Sequence, residues 1–170
     1  GNLGDWSIYG HRTTPTNPYL KVGSRIEIAK TTLTPGEDEA FSFPDVAYNL
    51  NMNEYLVVFD YWTSDASHTT GSDILARRIR NDGTGPAPLP YIGIDTSVCD
   101  QMRPTIAAYR LNPTTPYFVA YEDDWNSPSC DTETSIRGTY LEQDGTLPSS
   151  PSYINVSATY QTREAHTDIT

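Results

Sequence analysis

The stretch EYLVVFDYW, residues 54–62, returns as PYFVAYEDDW at residues 116–125. Both are short, rich in β-branched and aromatic residues, and free of helical spacing, which reads as a buried strand. The echo runs outward. SDILARRIRNDGTG (72–85) lies over TSIRGTYLEQDGTL (134–147), placing Ile74 on Ile136, Asp82 on Asp144, Gly83 on Gly145 and Thr84 on Thr146, each 62 residues apart. PYIGID (90–95) continues onto SYINVS (152–157), and upstream FPDVAYN (43–49) matches RPTIAAYR (103–110) with a slip of one or two residues. A partial third copy opens the chain. DWSIYGHR (5–12) puts Ile8 on Ile74, and SRIEIAK (24–30) puts Ile26 on Ile92 and Ile28 on Ile94, now 66 residues apart.

Each full copy holds four strand-like segments within about 60 residues, the period of a propeller blade. Asp-Gly at 82–83 and 144–145 is expected to make a tight hairpin between third and fourth strands, with NLNMNE and LNPTTP joining first to second. The expected fold is all-β, with propeller-like four-stranded antiparallel blades in two and a half repeats. Within one domain, 1–170, these are a half blade at 5–30, blades at 43–98 and 103–160, and a tail at 161–170. A two-sheet β-sandwich is the alternative.

Composition agrees with the class. Twelve Tyr, four Phe and three Trp stand beside thirteen Pro and eleven Gly in 170 residues, and the Pro residues interrupt nearly every window a helix could use. The chain is long enough for one well-buried domain. Its 22 acidic against 11 basic residues give a net charge of -11, which repels nucleic-acid phosphates and anionic membranes. No apolar run exceeds five residues, so no membrane span is expected.

The phrases PDVAYN, NEYLVVF and DILARRIRNDG resemble the blade-like repeats, of the type P-x-V-A-Y-N, Y-L-V-V-W and D-I-x-x-x-R-V-x-x-D-G, that recur in large extracellular bacterial proteins. The resemblance covers most of residues 5–160 and implies an architecture rather than an activity. The first copy departs from it, lacking the Asp-Gly turn.

In a meander, the loop between second and third strands and the connector to the next blade emerge on one side. That side gathers Asp60, Asp65, Asp73, Glu122, Asp123, Asp124, Asp131 and Glu133, with Trp62 and Trp125. Three readings compete. These residues are solvated loop and packing; or Asp65, Asp123 and Asp131 supply oxygens to calcium; or Trp62 and Trp125 stack on a sugar whose hydroxyls Asp60, Asp73 and Asp124 take. Cys99 and Cys130 fall on the same side and are expected to form a disulfide, which implies an oxidising compartment; two free thiols are the alternative.

No nucleophile elbow, zinc-protease helix, paired C-x-x-C or phosphate-binding Gly loop occurs, and His11, His68 and His166 lie far apart in sequence. The function expected is therefore noncatalytic: a structural or assembly protein of the extracellular space or cell surface. A carbohydrate-binding module comes next and a glycosidase fragment last. The chain opens on Gly1 without Met, as a processed product or excised piece would, and Gln161 and Arg163 in the tail echo Gln101 and Arg103 at the threshold of a further blade. Two and a half blades do not close a ring, so the partners are expected to be other copies, sharing strands head to tail, or neighbouring blades of a longer chain.

Overall fold

The computed structural model describes residues 6–15, 20–31, 38–64, 71–84, 91–109, 114, 116–124 and 134–157. Its ten strands are β1 (Ile8–Thr13), β2 (Lys21–Ala29), β3 (Glu39–Asn49), β4 (Glu54–Thr63), β5 (Asp73–Arg80), β6 (Ile92–Asp95), β7 (Asp100–Ala108), β8 (Tyr117–Asp124), β9 (Thr134–Leu141) and β10 (Ile154–Ser157). The protein is all-β, with no helix among the described residues. The strands form three antiparallel sheets: the pair β1-β2, the meander β3-β4-β5-β6, and the meander β7-β8-β9-β10.

Strand β4 shows why EYLVVFDYW reads as one apolar run. Leu56, Val57, Val58 and Phe59 are all buried because both faces of the strand are covered. Leu56 and Val58 point into one core with Ile106, Tyr117, Val119 and Tyr121 of the last sheet. Val57 and Phe59 point into another with Ile8, Ile28 and Ala29 of the first.

Registers repeat along the chain. Ile8 faces Ala29 and Gly10 faces Ile26; Ile74 faces Asp95 and Ala76 faces Ile92; Ile136 faces Ser157 and Gly138 faces Ile154. Each ladder carries a break at the same step. The opening strands repeat as well. Val46 faces Val57 and Tyr48 faces Tyr55, as Ile106 faces Val119 and Ala108 faces Tyr117. Both are bulged, between Ser42 and Asp45 and between Met102 and Thr105. Each bulge holds a non-glycine residue at positive φ, Phe43 at 46° and Arg103 at 51°, followed by a proline that has no N–H for the ladder. The first bulge turns Asp45 outward to accept from the Thr105 hydroxyl and the Ile106 amide, both at 2.8 Å, which ties β3 to β7. Past each bulge the ladder continues, so β3 begins at Glu39, upstream of the residue 43 expected from sequence.

Both Asp-Gly turns form. Gly83 (φ 89°) donates to the Arg80 carbonyl and Gly145 (φ 81°) to that of Glu142. Asp82 accepts from the amide and hydroxyl of Thr84, and Asp144 from those of Thr146. These bonds hold both carboxyls below their ordinary range. Their charge therefore stabilises the fold above the ordinary carboxylate pKa of about 4, and that stabilisation is lost as pH falls through the lowered values. The connection is longer than a tight hairpin. The next strand starts only at Ile92, because β6 pairs with no more than Ile74, Leu75 and Ala76.

Each turn instead docks on the preceding sheet. A methyl group on Gly83 would meet Ile26 at 3.0 Å, and one on Gly145 would meet Leu56 at 2.9 Å and Ile92 at 3.3 Å. Gly145→Ala therefore combines a disfavoured φ with a crowded contact and is expected to cost about 1–3 kcal/mol, read as a fall in the urea midpoint at unchanged slope. A loss under about 0.5 kcal/mol would remove this account of the turn.

Candidate functional site

The expected ligand residues fall within strands more than loops. Asp60, in β4, is buried and accepts from the Ser42 hydroxyl. Burial raises its pKa, against the Ser42 and Arg103 bonds that lower it. Asp73 opens β5, is buried, and faces Tyr61. Trp62 is half-buried in β4 opposite Ala40. Asp123 is buried in β8 opposite Gln101, and Asp124 ends that strand opposite Asp100 and Thr134. Asp65, Trp125, Cys130 and Asp131 lie outside the described residues. Among the described residues no three His, Cys, Asp or Glu side chains converge as a metal cradle.

Cys99 is buried immediately before β7. Its pairing with Cys130 remains a proposal. Alkylation of the native chain without reductant is expected to leave the intact mass unchanged; two added alkyl groups would refute the pairing.

What the structure does assemble is a buried polar network where the last two sheets meet. Arg137 Nε stands 2.7 Å from Asp123 Oδ2. Gln101 Nε2 donates to Asp123 Oδ1 at 3.3 Å and to the Ser97 hydroxyl at 3.0 Å, while its side-chain carbonyl has no donor among the described residues. The Tyr121 hydroxyl donates to Asp95 Oδ2 at 2.6 Å, and Asp95 also caps the Ser97 amide. Burial, and then the Asp95 carboxylate, push the Tyr121 phenol far above its ordinary pKa. Beside this network Arg103 Nη1 pairs with buried Glu122 at 2.6 Å.

By strand register each member has a counterpart one sheet earlier. Gln101 stands where Phe41 does, Tyr121 where Phe59 does, Asp123 where Tyr61 does, Arg137 where Leu75 does, and Asp95 where Ala29 does. There the same positions form an aromatic cluster. Phe41 and Phe59 meet edge-on at 5.8 Å, with Tyr61 at 5.1 Å and Tyr91 at 5.4 Å from Phe41. At these positions one seam between sheets is apolar and the next is hydrogen-bonded. Gln101, Tyr121 and Arg137 were not expected as site residues. Their signal is the switch from apolar to polar at matched positions of the two copies.

A second feature is a groove of about 640 Å³ between β1-β2 and the middle sheet. Ile8, Ile28, Val46, Val57 and Ile79 give it apolar lining, and Tyr48, Tyr55, Arg12 and Arg80 line it as well.

The fold and its seams define an all-β protein of repeated antiparallel meanders. No family model matches the sequence, and no curated protein or solved structure is significantly similar to it. No helix among the described residues is long and apolar enough to cross a membrane.

Proposed function

We propose that the chain is a noncatalytic structural protein of the extracellular space or cell surface, whose meanders stand as propeller-like blades and pack one on the next through a recurrent seam. The observation that carries this reading is that the seam is made twice. The Phe41 amide bonds to the Trp6 carbonyl at 3.0 Å, and the Gln101 amide to that of Ser72 at 2.7 Å. Gly83 abuts Ile26, and Gly145 abuts Ile92. The Lys30 amide donates to the Tyr91 hydroxyl at 3.3 Å, and the Tyr153 hydroxyl donates to the Ile94 carbonyl at 3.2 Å. A contact set that recurs between successive sheets suits stacking of units in series, where stability is a sum of unit and neighbour terms. The commitment of Asp60, Glu122 and Asp123 to protein partners supports a noncatalytic role. The resemblance noted above and a net charge of -11 with only Lys21 and Lys30 as lysines support the extracellular setting.

Duplication tests it. A chain with residues 96–157 inserted again after Ser157 is expected to unfold in one transition, with a larger urea slope and an undiminished midpoint. A separate, earlier transition for the added unit would sink the seam reading. On a glycan array, sugar binding lost in Trp62→Ala would move the function to carbohydrate recognition, and release of sugar from an oligosaccharide would move it to a glycosidase.

A further inference from the structure

The groove lies where the other seam is filled. In the seam between the middle and last sheets, Ile106 and Tyr117 are covered, 4% and 1% exposed, by a core that includes Ala47, Leu56 and Val58 of the β3–β4 hairpin. Their register counterparts one sheet earlier are Val46 and Tyr55, which line the groove and are 53% and 39% exposed. Across from them Ile8 and Ile28 are the counterparts of Ile74 and Ile94, which lie beside the same hairpin in one sheet and share its core in the other seam. The walls of the groove are thus the walls of the filled seam, and the volume between them is the place a hairpin occupies there.

We infer that this groove is a docking site for a two-stranded antiparallel β-hairpin of the β3–β4 kind, carried by another unit of the same repeat. It would present small and branched apolar side chains, as Ala47, Leu56 and Val58 do, to Ile8, Ile28, Val46 and Tyr55. Pairing would add strands to the β1 side of the β1-β2 sheet, as β4 adds to β5 in the middle sheet, so main-chain hydrogen bonds supply affinity and the apolar side chains supply register. The inference rests on the recurrent-seam reading, because the occupant is identified through the filled seam.

The probe is a synthetic peptide of residues 39–63, titrated into the full chain with calorimetry and amide exchange as readouts. Saturable one-to-one binding is expected, with a higher melting temperature and slower exchange in β1 and β2. Val46→Asp lies on an exposed position and leaves the fold intact; it is expected to weaken the peptide at least tenfold. Tyr55→Arg provides a second such variant. A scrambled peptide that binds equally well, or peptide affinity unchanged in both variants, would overturn the proposal. If the chain alone self-associates, dissociation by the peptide supports the hairpin as occupant, and indifference to the peptide overturns it. Absence of peptide binding while the duplicated chain still unfolds as one unit would remove this inference and leave the seam reading standing.

Discussion

Arg137→Ala is expected to destabilise the fold by about 3 kcal/mol, near the lower end for a broken buried ion pair because the guanidinium keeps some contact with solvent. Arg137 is 22% exposed in its side chain while Asp123 is 1% exposed. The substitution strands a carboxylate inside the seam without its guanidinium, the Gln101 Nε2 bond at 3.3 Å being a weak substitute for it. An unpaired buried charge cannot recover its hydration, and that loss exceeds the packing lost with the arginine stem. For a chain of this size the melting temperature should fall by roughly 6–12 °C. The counterpart positions also specify a rescue. Leu75 and Tyr61 occupy the equivalent places in the middle sheet, so Arg137→Leu with Asp123→Tyr should recover most of the loss by packing. Urea unfolding of the two variants decides it. An Arg137→Ala protein within 1 kcal/mol of the parent would mean that the pair is solvated and that the network is no buried site.

Much of the fold was legible because the repeat spells out the strands twice, and what one copy blurs the other states. Ile26 on Ile92 and Ile28 on Ile94 align in sequence; in the structure Ile26 and Ile92 hold matching registers, and Ile28 and Ile94 both fall at the break in their ladders. The slip between FPDVAYN and RPTIAAYR marks the strand in which Phe43 and Arg103 take positive φ, and the bulge there conceals how far β3 and β7 extend upstream. The candidate site was less legible. Acidic residues beside Ser- and Thr-rich stretches suggested loops, yet Asp60, Asp73 and Asp123 lie in strands and are buried. Asp60 accepts from the Ser42 hydroxyl and Asp123 is paired with Arg137, both on neighbouring strands that local sequence pattern does not supply. Position-by-position comparison of the copies, Phe59 against Tyr121 and Ala29 against Asp95, would have revealed a polar seam, since a hydroxyl gained on one strand is matched by a carboxylate gained on another.

That matched change yields the second large effect. Tyr121→Phe removes the donor 2.6 Å from Asp95 Oδ2 and leaves a buried carboxylate with the Ser97 amide at 3.1 Å as its remaining bond among the described residues, at an expected cost of about 2 kcal/mol. Asp95→Ala removes the acceptor and the Ser97 cap together and strands a fully buried phenol, at a cost of about 2–3 kcal/mol. The two losses should not add. The double variant rebuilds the pair Phe59 and Ala29 that packs without any hydrogen bond in the preceding seam, so its destabilisation should be smaller than either single change, a coupling of about 3 kcal/mol. The sign of that coupling separates two accounts of the network. If Tyr121 and Asp95 are one of two interchangeable ways to close the same seam, removing both is nearly harmless. If the double variant instead loses the sum of the single effects, the two residues act independently, and the equivalence of the seams, with the stacked-unit reading built on it, fails.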